Sequence, residues 1–337
     1  MMDFTRDELN LMMLYSPGTK PGLCEALIQM KEQLSEEEAE LCALADSVLN
    51  KISKMDDETF DELNLYPDFK DWREKMNAKE RFYSGLAKET IGKITSNKDN
   101  WTSFLVTVSR NYEFTYPEQV MIYAQRPNAT FCKPYDEWND ENYRRYVRRG
   151  STGIALFVTN REKPYLRYVF DVADTGVRRS SPELKPWEVT EENRAYVMGA
   201  MERTFGIASD GLLEAQLEDI ALSLSAEYWD DYKKPILDIV ANSFLEEYDE
   251  LNIEVAFKRA VANSVSYAMY CRLVENPDNY FEHEDFLNIF DFNTRQTVNA
   301  LGTAVNAISS RMFQEIEKAI GEYEQNRTAE RSADYEK

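Results

Sequence analysis

Four arginines stand close together in the stretch RRYVRRG, where Arg144 and Arg145 precede Arg148 and Arg149. Residues four apart share one face of a helix, so helical spacing would bring the two pairs together. No acidic residue follows directly at the spacing that would neutralise them. Guanidinium groups bind phosphate oxygens through paired hydrogen bonds. The pattern therefore fits either a solvated helix face or a phosphate-binding cluster.

Six further residues around this cluster are candidates for contacts with nucleic acid: Arg110, Tyr123, Arg126, Trp138, Gly150 and Gly153. The two arginines would add charge, and the two aromatic rings could stack on bases. The two glycines bracket the turn GSTG, whose backbone N–H groups could hold a phosphate. The alternative for the two aromatic rings is packing in the core, and the alternative for the two glycines is a simple turn.

The charge of the chain changes sharply in this region. The 337 residues carry a net charge of −22, from 39 Lys and Arg against 61 Asp and Glu. Residues 101–187 carry 13 Lys and Arg against 10 Asp and Glu, a net charge of +3. An acidic chain repels nucleic acid on average. The basic, aromatic region is therefore the one place where contacts with phosphates and bases are electrostatically plausible.

Several classes of enzyme are excluded by what the sequence lacks. A single histidine, His283, rules out HExxH and other sites built from two histidines. Neither GxxxxGK[ST] nor GxGxxG occurs, so no nucleotide-binding loop is indicated. Cys24, Cys42, Cys132 and Cys271 form no CxxC pair and are typical of reduced cytoplasmic thiols. We therefore expect a non-enzymatic, cytoplasmic protein with no cofactor and no metal site.

Membrane insertion is not expected either. No apolar run approaches the roughly 18–20 residues that span a bilayer. The first residues, MMDFTRDELN, contain no basic segment followed by an apolar core, as a signal peptide would. We therefore expect no membrane partner.

The basic region combines helical and β-like periodicity. Helices are predicted at about 101–111 and 117–125, with a short helix near 134–139 and a short strand near ATFC. IALFV at 154–158 and YLRYVFDV at 165–172 are apolar, β-branched and aromatic, and they flank the connection TNREKP. This arrangement predicts two adjacent antiparallel strands.

The rest of the chain is predicted to be helical. Thr5 stands three residues before Glu8, a capping-box spacing, and helices are predicted at 190–205, 210–228, 233–250, 253–274 and 293–322. The expected fold class is α+β, predominantly α-helical, with a small antiparallel sheet in the central domain. The predicted parts are a small helical module at 1–65, a helical connector at 66–100, a central α+β domain at 101–187, a helical domain at 188–325 and a frayed tail at 326–337.

The central region resembles a known family. FLVTVSRNYEFTYPEQVMIYAQRPNATFCKPYDEW, followed by RYVRRGSTGIALF, is similar to the N-terminal single-stranded-DNA-binding domain of ArdC-type antirestriction proteins. It is also similar to N-terminal regions of very large helicase/methylase-type proteins on conjugative elements of Gram-positive bacteria. The matching positions are Tyr112, Gln119, Ile122, Tyr123, Gln125, Arg126, Pro127, Ala129, Trp138, Val147, Gly150, Gly153 and Ile154, and VFDVADT at 169–175 also fits. The first residues, FTRDELNLMMLY, resemble a small helical module found on the same elements.

The resemblance implies non-enzymatic binding of single-stranded DNA during transfer of a mobile element, with protection of incoming DNA from host defence. The ArdC family joins this domain to a zinc metalloprotease-like domain, but HExxH is absent here, so that activity is not implied. Two alternatives remain open. One is an acidic inhibitor that binds a host restriction or CRISPR nuclease by protein contacts. The other is an accessory domain that docks on a conjugative helicase or on the transfer machinery.

Overall fold

Helices make up most of the structure. The computed structural model describes residues 4–5, 8, 11–12, 20–33, 39–55, 60, 78–158, 165–184, 186–209 and 211–335. In these ranges the α-helices are α1 (Lys20–Gln33), α2 (Ala39–Ser53), α3 (Ala78–Ile94), α4 (Lys98–Arg110), α5 (Tyr116–Gln125), α6 (Tyr135–Asn139), α7 (Arg194–Phe205), α8 (Leu213–Leu237), α9 (Glu250–Leu273) and α10 (Arg295–Tyr335). No helix among these residues is long and apolar enough to cross a membrane.

The strands of the described residues all lie in the central region. They are β1 (Cys132–Pro134), β2 (Arg145–Val147), β3 (Ile154–Val158), β4 (Tyr165–Asp171) and β5 (Thr175–Val177). β1, β4 and β3 form an antiparallel sheet in that order, and β2 pairs with β5 in a second antiparallel sheet. The predicted pairing of the third and fourth strands is confirmed, with Ile154 opposite Val169 and Val158 opposite Tyr165. The α+β fold class is therefore as predicted.

The centre of the helical core is α9, which is buried along most of its length. It packs against α4, α8 and α10. The indole Nε1 of Trp101 in α4 donates a 2.8 Å hydrogen bond to Ser264 Oγ in α9, which satisfies two buried polar groups. One apolar cluster includes buried residues from Ile91 to Ile320, so helices on both sides of residue 187 share a core. The division of the chain into five parts stays a prediction.

The first two helices have a core of their own. Leu23 of α1 and Val48 of α2 belong to an apolar cluster that shares no described residue with the larger core. The predicted capping box is present, because Thr5 N donates to Glu8 Oε2 at 2.5 Å and Glu8 N donates to Thr5 Oγ1 at 3.3 Å. Lys51 of α2 also donates to the buried Glu8 carboxylate, at 2.5 Å. These contacts join the start of the chain to α2.

The helix predicted for 233–250 is wrong. α8 continues without a break to Leu237 and includes Pro235, because the buried Trp229 extends its apolar face past the predicted end. The chain then turns, and Asn242 takes a φ of +64°, which no continuing α-helix allows. The acidic residues of the sequence EYWDDY are exposed, so they leave the buried side of the helix intact.

Two other predicted parts differ in extent. The predicted connector at 66–100 is described from residue 78 onward, where α3 begins, and residues 66–77 lie outside the described residues. At the other end of the chain α10 continues to Tyr335, well beyond its predicted end at 322 and through most of the predicted tail.

Candidate nucleic-acid interface

A buried carboxylate holds the base of the candidate interface. Asp171, the last residue of β4, accepts hydrogen bonds at Oδ2 from the backbone N–H groups of Thr130 at 2.6 Å and Phe131 at 3.1 Å. Its Oδ1 accepts a 2.9 Å bond from Ala173 N. A buried acceptor that satisfies three backbone donors fixes the local chain path. These hydrogen bonds explain why an aspartate stands in VFDVADT. They also set the direction in which the chain leaves the larger sheet toward β5.

The arginine cluster lies on the second sheet, so the predicted helical arrangement is wrong. β2 pairs with β5, with Arg145 opposite Val177, and Arg148 N donates a 2.9 Å hydrogen bond to the Asp174 carbonyl. Arg144, directly before β2, has a φ of +49°. Local spacing cannot reveal a strand whose partner comes much later in the chain, because pairing supplies its stability. We call residues 144–149 together with 175–179 the arginine sheet.

The four predicted arginines keep most of their hydrogen-bond donors unused. Arg144 and Arg149 are exposed, and neither side chain bonds to a residue that the structure describes. Arg148 is exposed and donates at 3.2 Å to a backbone carbonyl, while the half-buried Arg145 donates from Nε at 2.7 Å to a threonine hydroxyl of β5. None of the four forms an ion pair within the described ranges. Neutralisation by acids of the C-terminal helices is therefore not seen there.

Arg126 has a structural role. Its guanidinium forms an ion pair with Asp174, and Nη2 donates at 3.2 Å to the Thr152 carbonyl. These bonds connect the end of α5 to the segment that precedes β5 and to the turn that follows β2. A carboxylate therefore offsets the charge of Arg126.

The stacking predicted for Trp138 is wrong, and the contact predicted for Tyr123 stays a prediction. Trp138 is fully buried, and its Nε1 donates a 3.0 Å hydrogen bond to the Phe170 carbonyl, so it cannot stack on a base. Tyr123 is half-buried, with its ring 5.7 Å from that of Phe104 in an edge-to-face arrangement. Large aromatic side chains are buried for their apolar area, and these two follow that rule.

The structure places Arg110 on the helical core. It is exposed at the end of α4, and its charge acts on the Cys271 thiol of α9. No contact among the described residues joins it to the arginine sheet. It is therefore the predicted arginine with the weakest structural link to the cluster.

The two predicted glycines are explained by local geometry. Gly150 has a φ of +89°, which side chains rarely adopt, and it lies in an exposed turn with open space around it. A Cβ at Gly153 would lie 3.0 Å from Tyr168 Cβ and 3.0 Å from the Phe170 ring. Gly153 thus allows close packing on β4, and Gly150 allows the turn that follows β2.

Three residues of the arginine sheet were not predicted as contacts. Arg178 and Arg179 follow β5 and are exposed, and strand pairing brings them beside the start of β2. Arg178 Nη2 donates at 2.8 Å to Asn139 Oδ1, and its guanidinium lies 5.9 Å from the ring centroid of Tyr146. Tyr146 is 44% exposed. The sequence signal was a third arginine pair, in GVRRSS, of the same type as the two in RRYVRRG.

No group of His, Cys, Asp or Glu side chains within the described residues could hold a metal ion. The thiols there are free, and burial raises the pKa of Cys132, next to the interface on β1, to about 12. That thiol is protonated at neutral pH and is a poor nucleophile.

Comparisons with known proteins find a family match at one end of the chain. The family described as "Putative transposon-transfer assisting protein" matches residues 4–67. No curated protein matches the chain. Among solved structures, the metal-free crystal structure of the antirestriction protein ArdC from plasmid R388 is similar, with 14% sequence identity and a TM-score of 0.32. The alignment covers 61% of this chain and 86% of that one.

Proposed function

We propose that this chain binds single-stranded DNA through the arginine sheet, and that it does so during transfer of a mobile element. In this proposal the chain acts in the cytoplasm by binding alone. Metal-dependent nuclease, protease and ATPase assays of the purified protein should then show no turnover. An activity that is lost on substitution of a single carboxylate would contradict the proposal.

The observation that carries the proposal is a set of exposed arginines with no acidic partner among the residues that the structure describes. The exposed arginines of the sheet that form no ion pair with any described residue are Arg144, Arg148, Arg149, Arg178 and Arg179. Mutual repulsion makes such a cluster costly unless anions bind there. Phosphate oxygens match the geometry of a guanidinium and form two parallel hydrogen bonds with it.

The biological setting rests on the other end of the chain. Residues 4–67 match the transposon-transfer family, which supports a role on mobile elements. A protein that protects DNA during transfer meets it as a single strand, so the two parts of the proposal fit together. Protection of the incoming strand from host nucleases is the antirestriction-like form of this role.

Oligonucleotide binding as a function of salt tests the proposal. The variant Arg148→Glu/Arg149→Glu should bind a short single strand more weakly than the wild type. Each lost phosphate contact should lower the slope of log affinity against log salt by about 0.7. The variant Lys54→Glu/Arg259→Glu is a matched control, because it makes the same change in net charge. Lys54 follows α2, Arg259 lies on α9, and both are exposed.

The outcomes separate the candidate functions. A loss in the arginine-sheet variant, with the control unchanged, supports the proposal. Equal losses in both variants would show a general effect of net charge. No binding by the wild type would refute the proposal and favour an acidic inhibitor of a host nuclease or a docking domain, which pull-down against host nucleases and transfer proteins would separate.

A further inference from the structure

One side of the arginine sheet presents an aromatic ring between charges. Tyr146 is the middle residue of β2, and Arg144 directly precedes the strand while Arg148 directly follows it. Tyr146, Arg144 and Arg148 are exposed, whereas Arg145 and Val147, whose side chains lie on the other face of the strand, are half-buried. Arg178, which follows β5, is exposed as well, and its guanidinium lies close to the Tyr146 ring. The ring therefore has an exposed arginine on either side of it in sequence and a third one beside it.

Gly176 lies under the Tyr146 ring. The two residues are directly opposite each other in the β2–β5 pair. A Cβ at Gly176 would fall 2.3 Å from Cζ of Tyr146 and 2.5 Å from its hydroxyl oxygen, so only glycine allows this contact. One face of the ring is thus supported by backbone. Gly176 is buried as a result, although Tyr146 stays 44% exposed.

A ring in this position is well placed to receive a planar ligand. The end of the ring rests on Gly176, which limits the side-chain freedom that is lost on binding. Arg178, held by Asn139, keeps its guanidinium 5.9 Å from the ring centroid. Bases of a single strand expose their faces and stack on aromatic rings, whereas bases of a duplex are already stacked and paired.

We infer that Tyr146 stacks on a base of the bound strand while Arg144 and Arg148 bind the phosphates on either side. This inference rests on the proposed function and adds what distinguishes a single strand from a duplex. The arginines supply affinity for any phosphate backbone, and the tyrosine supplies selectivity for unpaired bases.

The test compares a short oligothymidylate with an abasic strand of equal length, both against the full chain. The wild type should bind oligothymidylate about 5-fold to 100-fold more tightly. Tyr146→Leu keeps an apolar cover over Gly176 but lacks a flat ring, so it should bind both strands equally with an unchanged salt slope. Tyr146→Phe should behave as the wild type does. Tyr280→Leu, at a 59% exposed tyrosine of the helical region, is the matched control.

Three results would overturn the inference. Equal binding of both strands by the wild type would show that bases are not contacted. A preference for oligothymidylate that survives in Tyr146→Leu would place the stacking elsewhere while leaving the proposed function intact. If the wild type bound neither strand, the proposed function would fail and the stacking role with it.

Discussion

The ring of Tyr116 lies against the α-carbon of Gly302, and the two residues join α5 to α10. A Cβ at Gly302 would fall 2.0 Å from Cε2 of Tyr116, closer than any side chain can approach. The ring is fully buried, and burial raises the pKa of its hydroxyl well above the ordinary value. The contact fixes the first residue of α5 on the long C-terminal helix. It thereby anchors the helix that leads to Arg126 and the arginine sheet.

Gly302→Ala should destabilise the protein. Alanine favours a helix by about 1 kcal/mol over glycine, but overpacking against a buried ring costs about 1–3 kcal/mol. Gly321→Ala in the same helix is the matched control, because a Cβ there has open space, and it should stabilise the protein. Chemical denaturation measures both free energies of unfolding. Stabilisation by both substitutions would contradict the close approach.

Asp171→Ala should destabilise the central region by about 1–3 kcal/mol, because backbone donors would lose a buried acceptor. The variant should also bind oligonucleotide more weakly, since β5 depends on that corner. Asp136→Ala, which removes an exposed carboxylate on α6, is the control and should change stability little. Thermal unfolding and oligonucleotide titration of both variants provide the comparison, and equal behaviour would show that Asp171 positions nothing.

Glu8 should make the stability of the N-terminal helices depend on pH. Burial raises the pKa of Glu8, but hydrogen bonds from Lys51, Ser47 and Thr5 outweigh it and leave the pKa below the ordinary 4.5. A carboxyl with a lowered pKa stabilises the fold above its unfolded pKa and loses that contribution as pH falls through the folded value. Glu8→Gln should therefore be less stable than the wild type at neutral pH.

That difference should shrink as the pH falls below about 4.5. Circular dichroism during heating, repeated over a pH series, follows the effect. The exposed Glu25→Gln in α1 is the control and should show no such trend. A constant difference between Glu8→Gln and the wild type at all pH values would count against the Glu8 network.

Two thiols should resist alkylation in the folded protein. Burial raises the pKa of Cys132 and of Cys271 to about 12 in each case, and it is the thiolate that attacks reagents such as iodoacetamide. The buried Cys132 should react only after denaturation, and the half-buried Cys271 should react slowly in the folded protein. Cys24 and Cys42, which are half-buried as well, should react sooner. Mass spectrometry of peptides after timed labelling separates the four. Rapid labelling of native Cys132 would show that β1 opens easily.

Elements with a strong local signal were predicted well. The two adjacent strands at 154–158 and 165–172 combine β-branched and aromatic residues with a short connection, so that sequence neighbours are also partners in space. The capping box at Thr5 and Glu8 is equally local. The end of α8 was missed because Trp229 continues a buried face that depends on a partner helix, and no local pattern reveals that partner.

The candidate interface was predicted in part. Charge composition is local, so it identified the arginines of RRYVRRG. Their arrangement depends on pairing with a strand that follows β4, and the sequence suggested a helix instead. Trp138 was predicted to stack on a base because it has a large aromatic ring. The same ring also favours burial in the core. Tyr146 was overlooked because its position depends on Gly176, which lies opposite it on the paired strand.

The arginine sheet is assembled from two segments with β3 and β4 between them. A synthetic peptide carrying RRYVRRG would therefore have four arginines of this surface without their arrangement, because β5 supplies Gly176 and the residues after it supply the third arginine pair. Insertions between β3 and β4 should be tolerated if the pairing of β2 with β5 survives them. The surface belongs to the folded central region as a whole, so loss of the Asp171 corner would weaken it even with every arginine in place.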